Sequence, residues 1–132
     1  MKQSGRSAVA IATVMALAAG SAAAQESHTI RFPAGSSSTT VKGALKGDSY
    51  VDYRIGARAG QSMDVVLKPE TVFFNVLAPG STGEAMFIGS GGGSEFGGTL
   101  PSSGIYTIRV YQMGAAASEG KFRRFTLEIG ID

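Results

Sequence analysis

The sequence has no cysteine, no tryptophan and a single histidine, His28. Without cysteine there is no disulfide to brace a small domain, no thiolate nucleophile and no Cys-based zinc site. His28 stands where chain ends commonly fray, so a Ser/His/Asp nucleophile system lacks a well-placed base. Excess charge is missing too. Apart from Lys2 and Arg6 in the first 24 residues, ten of the twelve basic residues remain against ten acidic ones, which leaves residues 25–132 formally neutral. The basic pI therefore reflects the first segment in part, and with no basic run interleaved with aromatics it points to neither nucleic acid nor an anionic membrane.

That first segment is the one long apolar run. Lys2 and Arg6 precede an uncharged stretch from Ser7 to Ala24 that closes on Ala22, Ala23 and Ala24 before Gln25. Small residues at the −3 and −1 positions fit a signal-peptidase site, so residues 1–24 are read as a cleaved secretory signal that leaves no membrane span. The 108 residues from 25 to 132 suit one domain with one modest core. An exported domain without disulfides points to a periplasm.

What fills those residues is a succession of short alternating runs: Thr29 to Phe32, Thr40 to Leu45, Tyr50 to Ala57, Ser62 to Lys68, Val72 to Leu77, Ala85 to Ile88, Glu95 to Leu100, Ile105 to Gln112 and Phe122 to Ile131. Glycine and proline punctuate them at Gly43, Gly47, Gly56, Gly60, Pro69, Pro79, Gly80, Gly89 to Ser94 and Pro101 to Gly104. No sustained helical period with caps interrupts the series. The expectation is an all-β, antiparallel β-sandwich of about eight strands. Its core is expected from Val51, Tyr53, Ile55, Met63, Val65, Leu67, Val72, Phe74, Val76, Ile108, Val110, Phe125, Leu127, Ile129 and Ile131. Asp52, Arg54, Asp64, Lys68, Asn75, Arg124 and Glu128 fall on the opposite faces.

No catalytic, metal or cofactor constellation emerges. Asp48 and Asp52 lie about 13 Å apart on an extended chain, too far to flank one glycosidic bond. Glu84 and Glu95 flank the glycine-rich run and would approach only across a hairpin, with no ligand-dense loop for calcium. Ser90 to Ser94 lacks the Lys-Ser/Thr pair and the helix of a phosphate cradle and reads as a flexible hairpin loop.

The most informative segment is Leu100 to Gly120, a turn, an alternating strand and a run of small residues, GAAAS. It reads as a sandwich strand followed by a solvent-facing loop with too little side chain to build a core. LKGDSYVDYRIGARAGQSMDVVL and LPSSGIYTIRVYQMG resemble bacterial pre-peptidase C-terminal β-sandwiches. Within that class, FPAGSSSTTVKGALKG, VFFNVLAPGS, MFIGS, LPSSGIYTIRVYQM and FTLEIGID resemble the periplasmic inhibitors of g-type (goose-type) lysozyme, over nearly all of the chain after the signal.

The resemblance implies a secreted, non-enzymatic protein whose partner is g-type lysozyme, with a loop docked in the enzyme's cleft. Arg109, Tyr111, Met113, Gly114, Ala117, Ser118, Lys121 and Arg123 are the implied partner-binding residues, with the Gly89 to Phe96 hairpin beside them. The family's R-x-x-A-R pattern, whose arginines would pair with cleft carboxylates, falls here on Gly114 and Ser118 with Ala115, Ala116 and Ala117 between. Lys121, Arg123 and Arg124 are the nearest cations, and read blandly Arg123 and Arg124 are ordinary edge-strand charges. The alternative is a sandwich module that binds peptidoglycan glycan or an envelope protein without inhibition, stacking sugar on Tyr50, Tyr106, Tyr111 and Phe96.

Overall fold

A computed structural model describes residues 25–132; the expected signal segment, residues 1–24, lies outside the described residues. Alternating side chains become nine strands: β1 (Gln25–Thr29), β2 (Ser38–Lys46), β3 (Tyr50–Ala57), β4 (Ser62–Lys68), β5 (Phe73–Leu77), β6 (Phe87–Ile88), β7 (Glu95–Thr99), β8 (Gly104–Tyr111) and β9 (Phe122–Ile131). They form a five-stranded sheet, β1-β3-β8-β5-β6, and a four-stranded sheet, β2-β9-β4-β7. Both contribute to one core, and all fifteen expected core residues are buried. Phe74, Met63 and Leu127 lose all contact with water, which at about 25 cal/mol per Å² makes apolar burial the main support of a disulfide-free fold.

The count of nine exceeds the expected eight, and one strand differs in kind. The first run was expected at Thr29 to Phe32, but the chain pairs at Gln25–Thr29, parallel to Tyr50–Arg54 of β3. Pairing ends where the Ile30 amide donates to the Arg54 carbonyl and Pro33 begins a turn closed by Ser36 N–H. An edge strand exposed along Glu26 to Thr29 shows no buried alternation to read. Ile30, Leu45, Leu77 and Leu100 join the core from strand ends, where periodicity is weakest.

Two further expectations change. The glycine-rich run is not a hairpin loop: β6 and β7 lie in different sheets, and Gly89–Gly92 forms a single helical turn, α1, across the gap. Gly89 is required there, because a Cβ would overlap the Phe74 backbone, and its amide donates to Asn75 Oδ1 at 3.3 Å. Arg123 and Arg124 are not edge residues, since β9 lies between β2 and β4. Local pattern identifies a strand but not its neighbours, which are chosen by contacts far apart in sequence.

Tyr106, expected in the alternative reading to offer a surface for sugar, is wholly buried on the face of Ile108 and Val110. Its hydroxyl donates to the Ser102 carbonyl at 2.6 Å and accepts from Ser102 N–H at 3.2 Å. A tyrosine that bonds its own chain just upstream pins a strand entrance, and its ring is unavailable for stacking. Phe96 likewise packs on the core and against Phe87, with ring centroids 5.2 Å apart.

Candidate functional site

The segment after β8 closes one end of the sandwich. Gly114–Ser118 is a helical turn, α2, rather than an irregular loop. Alanine is the strongest helix former, and Ala115 to Ala117 with Gly120 three residues beyond carry their own stop signal. Lys121 N–H donates to the Ala116 carbonyl at 3.0 Å and Gly120 N–H to that of Ala117 at 3.3 Å. With Gly120 at φ +69, these crossed bonds are the glycine-terminated helix ending known as a Schellman motif.

Gln112 holds this turn in place. It continues the core-facing series Tyr106, Ile108, Val110 of β8 and is 5% exposed, the one buried polar side chain among the described residues. Its amide nitrogen donates to the Lys121 carbonyl at 2.9 Å and to that of Gly47 at 3.3 Å, while its oxygen accepts from Arg123 Nε at 3.1 Å. A buried amide with all these partners avoids the penalty of unsatisfied polar atoms. One side chain thus joins the end of β8, the β2–β3 turn and the start of β9. The turn is drawn in further by Gly47 N–H, which donates to the Lys121 carbonyl at 2.8 Å. A Cβ on Gly47 would lie only 3.2 Å from Gly120 Cα, at a left-handed φ of +60.

The expected partner-binding residues divide on this geometry. Met113, Gly114, Ser118 and Lys121 stand in solvent around α2, and Ala117 is half-buried beside them. Arg123 turns toward the space between the sheets, with Nη1 3.4 Å from Thr71 Oγ1. Arg109 and Tyr111 lie on the outer face of the five-stranded sheet. Arg109 forks onto Asp52, with Cζ 4.1 Å from the Tyr50 ring centroid, and its guanidinium pKa is raised further, first by the hydrogen bond to Asp52. Tyr111 donates to Asn75 Oδ1 at 2.7 Å.

Gln112 and Gly47 are the residues missed as determinants. Gln112 continues the buried parity of β8, which was the available signal; Gly47 needed the tertiary contact. At the same end, Phe122 is 58% exposed and Met113 49%. His28 lies on β1, stacked at 5.5 Å on Tyr53 and 3.3 Å from Glu26. Among the described residues, no group of three His, Cys, Asp or Glu side chains is placed to hold a metal ion, and no helix is long and apolar enough to cross a membrane.

Two sheets packed on one core, with α2 closing one end, define a β-sandwich. The fold is shared with the pre-peptidase C-terminal domain of a Bacillus anthracis collagenase, at a TM-score of 0.52, 17% identity and coverage of 82% of this chain and 96% of that one. A nearer likeness is PliG of Aeromonas hydrophila, a periplasmic lysozyme inhibitor of g-type lysozyme, with TM-score 0.77, 34% identity and coverage of 82% of this chain and 97% of that one. PliG of Salmonella Typhimurium follows at TM-score 0.67 and 26% identity, covering 81% and 98%. The chain belongs to the family of periplasmic inhibitors of g-type lysozyme. Both of these relatives are inhibitors of g-type lysozyme. No protein-family model and no curated protein sequence matches the chain.

Proposed function

We propose that the chain is exported to the periplasm, loses residues 1–24 and acts there as a non-enzymatic inhibitor of g-type lysozyme, presenting the α2 end of the sandwich to the enzyme's cleft. The observation that carries this reading is the 34% identity with an inhibitor over 97% of its length. The rigid α2 end supports the choice of surface. A turn held by Gln112 and Gly47 loses little conformational freedom on docking, which favours affinity. Exposed Met113 and Phe122 offer apolar anchors beside it.

In place of the family's arginines the turn carries Gly114 and Ser118. A charge-assisted pair lost at an enzyme interface costs about 2–5 kcal/mol, so inhibition through the turn alone is weak. A lytic assay tests the reading: a molar excess of residues 25–132 is expected to slow g-type lysozyme and leave a c-type lysozyme unaffected. Undiminished lysis by the g-type enzyme at large excess overturns it.

A further inference from the structure

The charge missing from the turn is found on the neighbouring sheet face. On the outer side of the four-stranded sheet, successive rows run Lys46–Phe122, Ala44–Arg124, Lys42–Thr126–Lys68, Thr40–Glu128–Val66–Glu95 and Ser38–Gly130–Asp64–Gly97. The three rows nearest α2 hold four cations and no acid. The two far rows hold Glu128, Glu95 and Asp64 and no cation. Because residues 25–132 carry no net charge, this polarity is produced by register and not by composition.

The basic half is open to solvent. Lys42, Lys46, Lys68 and Arg124 are all exposed, and none has an acidic partner within salt-bridge distance among the described residues. Lys42, Lys68 and Arg124 line one shallow depression of about 350 Å³. Arg124 stands diagonal to Lys42 and Lys46 of the neighbouring strand, and Lys68 lies two strands from Lys42, roughly 10 Å away, so the like charges repel weakly and the fold gains nothing from them. The patch is continuous with α2: Lys46 Cε lies 4.0 Å from where a Cβ on Gly120 would stand, and Arg124 Cζ is 5.5 Å from the Phe122 ring centroid.

Resting on the lysozyme reading, we propose that this basic half-face supplies the positive charge with which the chain meets an acidic protein cleft. The occupant is a glycosidase whose substrate groove presents carboxylates, as glycoside hydrolysis requires. α2 enters the groove mouth and Lys42, Lys46, Lys68 and Arg124 lie along its acidic wall. Exposed charges in this arrangement steer encounter and give a strong salt dependence.

The test measures binding of residues 25–132 to purified g-type lysozyme by calorimetry at low and high salt. Its variants are the triple Lys42→Gln/Lys68→Gln/Arg124→Gln and a same-face control, Glu95→Gln/Glu128→Gln. The triple is expected to bind about tenfold more weakly at low salt and to lose most of its salt dependence, while the control binds at least as well as the parent. If the triple does not melt like the parent, Lys42→Gln and Lys68→Gln singly carry the test, each with a smaller loss in the same direction. Unchanged affinity and salt dependence in folded variants, with the parent still inhibiting, overturns the proposal and leaves the lysozyme reading standing. No binding by the parent removes both. Sedimentation showing a dimer that the triple dissolves would assign the face to a second copy of this chain, and also overturns the proposal.

Discussion

Arg109 of β8 and Asp52 of β3 face each other across the strands and join by two parallel bonds, Nε to Oδ1 at 2.8 Å and Nη2 to Oδ2 at 3.0 Å. The fork geometry is the strongest form of ion pair, and the side chains are only 33% and 17% exposed. Asp52→Ala and Arg109→Ala, combined in a double-mutant cycle by urea unfolding, are expected to show a coupling of about 1–2 kcal/mol, above the median for surface pairs. A coupling near zero would return Arg109 to the pool of available surface cations.

Tyr53 makes stability fall at high pH. Burial, with help from the Glu26 carboxylate, pushes its phenol from 10.0 up to about 12. Between those values the unfolded chain releases a proton that the folded chain keeps, so stability is full below about pH 10 and declines as pH rises toward 12. The displacement corresponds to at most roughly 2–3 kcal/mol. Denaturant midpoints from pH 8 to 11.5 should drop more for the parent than for Tyr53→Phe. Parallel curves would show that Tyr53 is not the group responsible.

Gln112→Leu removes the three bonds that fasten the α2 end and leaves Arg123 Nε without its acceptor. A loss of about 2–3 kcal/mol is expected. Amide exchange at Gly47 and Lys121 should accelerate beyond the global change, because both amides bond within the fastened unit. Uniform acceleration across the sheets would mean that the α2 end depends on other contacts.

The two positions on which the resemblance places the family's arginines differ in backbone. Ser118 is exposed in the last helical residue of α2, whereas Gly114 has φ +63, with open space around it. Ser118→Arg should fold like the parent and strengthen inhibition of g-type lysozyme by about tenfold or more. Gly114→Arg should cost about 1 kcal/mol in stability from left-handed strain. Equal melting for the two variants would count against strain at Gly114, and no gain from Ser118→Arg would count against α2 entering the cleft.

The fold was legible wherever side-chain alternation meets a sheet face buried on one side. β3, β4 and β9 occupy the expected bounds Tyr50–Ala57, Ser62–Lys68 and Phe122–Ile131, because apolar residues on every second position can bury only in an extended chain. β1 was missed in place and direction, since an exposed edge strand needs only backbone partners. α2 departs from the solvent-facing loop expected at Gly114 to Ser118 because its alanines form no apolar stripe, although their helix propensity and Gly120 are legible in the sequence.

Residues 25–132 by themselves determined an all-β domain, its core residues and, through the resemblance of SGIYTIRVYQM and its companions, the family. The fold class and the core follow from local periodicity and composition, and the family from the likeness of those motifs to its members. Only the tertiary structure decided strand neighbours, the pairing of Arg109 with Asp52, the fastening of α2 by Gln112 and the separation of charge across the four-stranded sheet. Each depends on register between segments distant in the chain, and a shift of one residue would turn Lys42, Lys68 and Arg124 from solvent toward the core.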